Sequence, residues 1–331
     1  MDLSKYSLKI FNGELPDFEE LALEVFQFQY RSNPVYQQFV DALGIPESAV
    51  TSLASIPFLP IRFFKSGPVK TGLFEPALVF ESSGTTGDRT SRHDVKDAGV
   101  YEQSFLRGFE RAYGPVSDWC ILGLLPSYLE RKNSSLVYMV DWLVKRSGHP
   151  QSGFYLDEFG KLAETLAGLE RRGSKTLLIG VTFALLDFAD RFPQPLAHTL
   201  IMETGGMKGR REEMVRADVH ERLQRAFSKR SIHSEYGMTE LLSQAYSDGA
   251  GIFTPPPWMR VLIREEDDPL SVVDRVSQPL QGAVNVIDLA NIWSCSFIAT
   301  DDLGRLHPGG QFEILGRSDN SDIRGCSLLA V

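Results

Sequence analysis

The sequence predicts an α/β fold: a layered body with a largely parallel sheet, and a smaller β-rich subdomain after it. Two observations carry this. Between about residues 119 and 233, short apolar runs of strand length alternate with stretches whose apolar residues recur at helical spacing. After Gly249 that periodicity fades, Pro255-Pro256-Pro257 marks a boundary, and short β-like runs take over. Three regions result: an N-terminal helical and extended segment over 1–76 packed on the body, an α/β nucleotide-binding body over 77–249, and a β-rich subdomain over 250–331.

The elements follow in order. Phe18, Leu21, Val25 and Phe28 recur at helical spacing behind an Asp17-x-x-Glu20 capping pattern, which predicts a helix over 17–31. Asn33-Pro34 restarts the chain into a second helix that ends near Gly44. Prolines at 57 and 60 forbid a long helix there, so an extended segment leads towards residue 80. Helices are predicted over 94–113, 133–146 (capped by Asn133), 157–172, from about 182, and over 209–227. Strands are predicted over 119–125, 176–179, 199–202, 231–233, 284–288 and 296–299.

Composition narrows the function. The chain has 331 residues, 43 acidic against 34 basic, and a net charge of −9, which argues against a broad phosphate-backbone surface and hence a nucleic-acid partner. Three widely separated cysteines, Cys120, Cys295 and Cys326, suit neither a disulfide scaffold nor a cysteine zinc site. No apolar run approaches the roughly 18 residues of a membrane span, and residues 1–5 do not resemble a secretion signal. The expected location is the cytoplasm.

Four stretches point to a nucleotide. Ser82-Ser83-Gly84-Thr85-Thr86-Gly87 combines hydroxyl donors with glycines that let consecutive N–H groups turn towards one anion, a phosphate cradle; an ordinary surface turn has the same composition. A lysine-containing P-loop and the GxGxxG and GxSxG patterns are absent. Glu203-Thr204-Gly205-Gly206 ends a strand in paired glycines against which a flat base could lie, although such a pair is also a plain turn signal. Tyr236-Gly237-Met238-Thr239-Glu240 offers an aromatic face, a hydroxyl for a phosphate and a carboxylate for Mg²⁺. Thr300-Asp301-Asp302-Leu303-Gly304-Arg305, followed by Gly316-Arg317, supplies a carboxylate for ribose hydroxyls and an arginine for phosphate charge.

In this order the motifs resemble those of the adenylate-forming enzymes, which include acyl-CoA synthetases, luciferases and peptide-synthetase adenylation domains. The resemblance implies the N-terminal-domain fold of that superfamily, with ATP and Mg²⁺ as cofactors. It implies activation of a fatty or aryl acid to an acyl adenylate with release of pyrophosphate, then transfer of the acyl group to a thiol. Ser82, Ser83, Gly84, Thr85, Thr86 and Gly87 would hold the β,γ-phosphates. Tyr236 would pack on adenine beside Gly205, Gly206 and Gly237, and Thr239 would contact the α-phosphate. Glu240 would coordinate Mg²⁺, Asp302 the ribose and Arg317 the ribose and phosphate, with Thr239 and Glu240 in catalytic roles.

Two features depart from the superfamily pattern. The trailing lysine of the phosphate loop is absent, with Arg89 or Arg92 as stand-ins, although arginine is no simple substitute for lysine. The sequence stops near the superfamily's hinge, so the mobile C-terminal domain is expected to be missing. That architecture resembles the acyl-protein synthetase branch serving the fatty-acid reductase of bacterial luminescence, and a phenazine-biosynthesis relative. In the luminescence branch the acyl group passes to a cysteine near the C-terminus, which Cys326 matches in placement; a small buried apolar residue is the other reading of this cysteine. Cys120 and Cys295 read as core. Tyr128 and His233 are candidates for the acyl pocket, although His233, like His93, reads more readily as a structural histidine. The thiol acceptor is the chain's own cysteine, a carrier protein, a reductase partner or coenzyme A. The alternatives are a ligase for coenzyme A or a carrier protein, and a non-catalytic nucleotide-binding partner subunit.

Overall fold

The computed structural model describes residues 6–11, 17–82, 90–125, 133–205 and 214–317. It is a mixed α/β protein whose chain divides into two compact units, each discontinuous in sequence. The first holds residues up to Gly108 with Gly237–Gln244 and Thr254–Ile314. The second holds Phe109–Tyr236 with Ala245–Phe253 and the described residues from Leu315 to Arg317.

In the first unit, strands Phe297–Leu306, Leu280–Asp288, Met259–Arg264 and Val272–Val273 lie side by side in that order. The pairs formed by Leu280–Asp288 with both its neighbours are antiparallel, and Leu59–Pro60 joins Phe297–Leu306 in parallel. That pairing explains the extended proline-rich segment: Ile61 N–H donates to the Ala299 carbonyl, and a proline at an edge need donate nothing. Helices Phe18–Ser32 and Pro34–Ala42 bury Phe26 and Tyr36 in an aromatic cluster with Phe58 and Phe297. Gln29 secures them, donating from Nε2 to the carbonyls of Asn291 and Ile292. A separate hairpin pairs Leu78–Glu81 with Arg92–Val95.

The second unit is the parallel layer the alternation predicted. Strands Gly153–Phe154, Cys120–Leu124, Thr176–Val181, Thr199–Thr204 and His233–Tyr236 run parallel in that spatial order, and antiparallel Ala245–Ser247 closes the edge. Helices Ser135–Ser147, Phe159–Arg171, Thr182–Arg191 and Arg216–Phe227 make the connections. Phe188 stacks on Phe192 and Phe227, with Phe159 edge-on, so the apolar faces of the last three of these helices meet in one core.

Several local expectations are corrected. Asp17 precedes its helix but its side chain makes no cap bond, and Glu19 instead accepts from the Leu53 N–H. The helix expected from Asp94 starts at Ala98, because Arg92–Val95 is claimed by the hairpin. Ser134, one residue beyond Asn133, caps its helix through Val137 N–H. The strand expected at 231–233 occupies His233–Tyr236, where pairing with Thr199–Thr204 and Ala245–Ser247 is available. Among the described residues no helix is long and apolar enough to cross a membrane.

Candidate active site

In the first unit, the hairpin positions the entrance to the hydroxyl loop. Ser82 Oγ accepts from Ser91 N–H at 2.8 Å while Ser82 N–H donates to the Ser91 carbonyl, so the first hydroxyl of the motif ties the loop's base. Ser83, Gly84, Thr85, Thr86 and Gly87 lie outside the described residues, as do Arg89, Tyr128, Gly206 and Cys326. Arg92, one of two expected stand-ins for the absent lysine, spends its Nε on Asp94 at 2.8 Å.

Gly237, Thr239 and Glu240 lie on a segment of the same unit held by buried side chains from elsewhere in it. His93 Nδ1 is 2.8 Å from the Thr239 carbonyl oxygen. Asn291 Nδ2 donates to the Glu240 carbonyl at 2.8 Å. Asp288 accepts from Leu242 N–H, Ser243 N–H and Ser243 Oγ at 2.8, 3.0 and 2.6 Å, and from Ala290 N–H. Burial pushes the Asp288 carboxyl up to about 6, against the pull of those four donors. Glu240 itself is 5% exposed. Among the described residues no three acidic, histidine or cysteine side chains form a preformed metal cage. One protein carboxylate can serve Mg²⁺ when substrate phosphates complete its shell, and Glu240 is a carboxylate of that kind.

Asp302 sits on a β-bulge. The strand pairs Ala283 with Leu303 and Asn285 with Ala299, so residues 300–302 oppose Val284 alone. Arg264 occupies the irregularity: its guanidinium donates to the carbonyls of Val284 and Thr300 at 2.8 and 2.7 Å. Burial lowers the Arg264 pKa, opposed by the charges of Asp301 and Asp302. A bulge re-aims side chains, and here an arginine stabilises the carbonyls it frees and faces the two carboxylates. Gly304 of the same motif is a packing requirement, since a Cβ there would lie 2.6 Å from the Glu313 carbonyl oxygen.

In the second unit, Gly205 ends strand Thr199–Thr204 with φ +71°, the left-handed conformation that favours glycine. Beside it stands an acidic network that the sequence reading missed. Glu203 is buried and accepts from Ser234 Oγ at 2.7 Å and Thr182 Oγ1 at 3.0 Å, with Arg216 Nε at 3.5 Å. Burial pushes the Glu203 carboxyl up, but the hydrogen bond from His220, the Arg216 charge and the Ser234 hydroxyl outweigh it and hold the group below its ordinary value. Glu235 accepts from Thr204 Oγ1; burial, with the nearby Glu203 charge, takes it up to about 7 despite that bond. The parallel register that brings Glu203 beside Ser234 is the signal that was available only in three dimensions. The Tyr236 ring is 9% exposed and packs 5.8 Å from Phe253. Arg317, the last described residue, belongs to this unit.

His233 is at the amino end of its strand, with Nδ1 3.3 Å from the Tyr113 hydroxyl, and lines a cleft with Trp119, His198, Thr199 and Lys229. Those residues mark the amino edge of the parallel sheet, whereas Gly205 and Tyr236 end their strands at the carboxyl edge, where open α/β sheets bind ligands. Cys120 and Cys295 are buried thiols that burial pushes up to about 11 and about 12.

No protein-family model and no curated protein matches the chain. Solved structures do. A luciferase-like enzyme from the mealworm Zophobas morio is 17% identical over 76% of this chain and 60% of its own, with a TM-score of 0.46. An O-succinylbenzoate coenzyme A synthetase from Bacillus subtilis, in complex with ATP and magnesium, is 17% identical over 74% and 52%, TM-score 0.49. A benzoate CoA ligase from Burkholderia xenovorans is 16% identical over 67% and 46%, TM-score 0.41. The chain spans roughly half to three-fifths of the length of these three structures.

Proposed function

We propose that the chain activates a carboxylic acid with ATP, forming an acyl adenylate and pyrophosphate, and passes the acyl group to a thiol. The observation that supports this best is the Thr239–Glu240 backbone, whose carbonyls are taken by His93 and Asn291, while Asp288 takes the N–H groups of Leu242 and Ser243. A hydroxyl and a carboxylate on a fixed backbone suit a reaction in which positioning and charge neutralisation do most of the work.

The substrate carboxylate is already an anion at neutral pH, so no general base is required. One of its oxygens attacks the α-phosphorus, and the bond from that phosphorus to the bridging oxygen breaks as pyrophosphate leaves with the electron pair. Thr239 would donate to the α-phosphate, Asp302 would accept the ribose hydroxyls on its bulge, and Arg317 would oppose phosphate charge. Glu240 would hold Mg²⁺, which screens the triphosphate from the incoming anion. A thiolate then attacks the acyl carbon and AMP departs. The acceptor is Cys326 in an acyl-protein synthetase, the finer assignment we propose, or otherwise a carrier-protein or coenzyme A thiol.

Acid-dependent ATP–pyrophosphate exchange, run with Mg²⁺ over a panel of fatty and aryl acids, tests the first half-reaction. Exchange with at least one acid is expected, and Glu240→Gln is expected to abolish it; a wild-type protein that binds ATP and exchanges with no acid refutes the proposal. Cys326→Ser is expected to retain exchange and lose the thioester-linked acyl-protein.

A further inference from the structure

His93 is 1% exposed, on the strand that follows the hydroxyl loop. A carbonyl oxygen only accepts, so the 2.8 Å contact with Thr239 puts a proton on Nδ1. Neither Nε2 nor Asn291 Oδ1 is bonded to any other group, and the two side chains lie against one another. The amide of Asn291 is held in this orientation, because Nδ2 donates to the carbonyls of Glu240 and Cys295 at 2.8 and 3.0 Å. A buried polar pair of this kind carries a desolvation cost that an apolar pair of similar size would avoid. What an apolar pair could not do is grip the successive carbonyls of Thr239 and Glu240.

The geometry points to His93 and Asn291 as positioning residues for acid activation, holding the Thr239–Glu240 backbone in register with the hairpin that carries the hydroxyl loop. This rests on the adenylation reading. His93 is two residues beyond Ser91, whose N–H is bonded to Ser82 Oγ, so the chain between the base of the loop and the Thr239 carbonyl is short and hydrogen-bonded at both ends. The grip is on main chain, not on the side chains that would meet ATP. Its loss would therefore loosen the placement of the Thr239 hydroxyl and leave most ATP contacts in place.

The test compares wild type, His93→Leu, His93→Asn and Asn291→Leu in the ATP–pyrophosphate exchange assay, with circular dichroism to establish folding. Asparagine puts an N–H donor on the same γ-carbon position as Nδ1 and so restores the bond to Thr239. His93→Leu and Asn291→Leu are expected to lower kcat about 10- to 100-fold with KM for ATP within about threefold, the scale of a misplaced catalytic group. His93→Asn is expected to recover most of that loss. The inference is overturned if the leucine variants keep wild-type kcat, if KM for ATP rises in place of a fall in kcat, or if His93→Asn is as impaired as His93→Leu while folded. Should the leucine variants not fold, His93→Asn against His93→Gln decides it. The longer glutamine displaces the donor and should be the slower; equal rates overturn the inference. Wild type that exchanges with no acid overturns the adenylation reading, and this inference with it; exchange in wild type with unaffected variants overturns this inference alone.

Discussion

The first unit and the second each hold a carboxylate-centred polar network, and the two are built on opposite principles. In the first, Asp288 gathers four donors, three of them backbone N–H groups, and its role is to hold chain direction through residues 242, 243 and 290. In the second, Glu203 and Glu235 are served by side chains: two hydroxyls, an arginine and a histidine for one, a threonine hydroxyl for the other. Backbone donors cannot be mutated away, so the first network is changed only by altering its acceptor or the Ser243 hydroxyl. The second can be altered at every member. The same ion, buried, is a clamp in one place and a titratable group in the other.

Removing the clamp should have the largest effect. Asp288→Ala leaves four buried donors without their acceptor and is expected to cost on the order of 3 kcal/mol or more, read as a lowered denaturation midpoint in urea. A loss below about 1 kcal/mol would show that the donors find other partners and that the comparison is wrong. Glu203→Gln should be milder, about 2 kcal/mol, since the amide oxygen still accepts from one hydroxyl while the attraction to Arg216 is lost.

The smallest effect is read in the pH dependence of stability. Glu235 titrates near 7 in the folded protein against 4.5 ordinarily, so the folded state holds that proton more tightly. Stability from this group is present at low pH and falls as pH rises through the window from about 4.5 to 7. Asp288 acts in the same direction between 3.8 and about 6. Glu203, held below its ordinary value, acts oppositely: its contribution is present above 4.5 and is lost as pH falls through its folded value. Thermal midpoints of Glu235→Gln from pH 5 to 8 should therefore fall less steeply than those of wild type. An unchanged slope would place the titration elsewhere.

Periodicity alone located the parallel layer, because strands buried on both faces are continuous apolar runs and the helices between them carry an apolar stripe; Thr176–Val181 and Thr199–Thr204 are examples. Element ends were less legible. Asp94 has a helix-start composition, yet the hairpin partner at Val79 takes its backbone, a competition no local pattern expresses.

The sequence by itself determined the chemistry on offer: hydroxyls and glycines at 82–87, an aromatic, a hydroxyl and a carboxylate at 236–240, paired aspartates at 301 and 302. These motifs are legible because their residue types must be adjacent to act together. Tertiary structure decided what holds them. His93 lies 146 residues from Thr239, and Asn291 lies 51 from Glu240. Arg264 reaches Thr300 from 36 residues away. A buried histidine, asparagine or arginine looks the same in sequence whether it grips one carbonyl or another. Which carbonyl it meets follows from strand register and the bulge at Val284, set by the packing of the whole sheet.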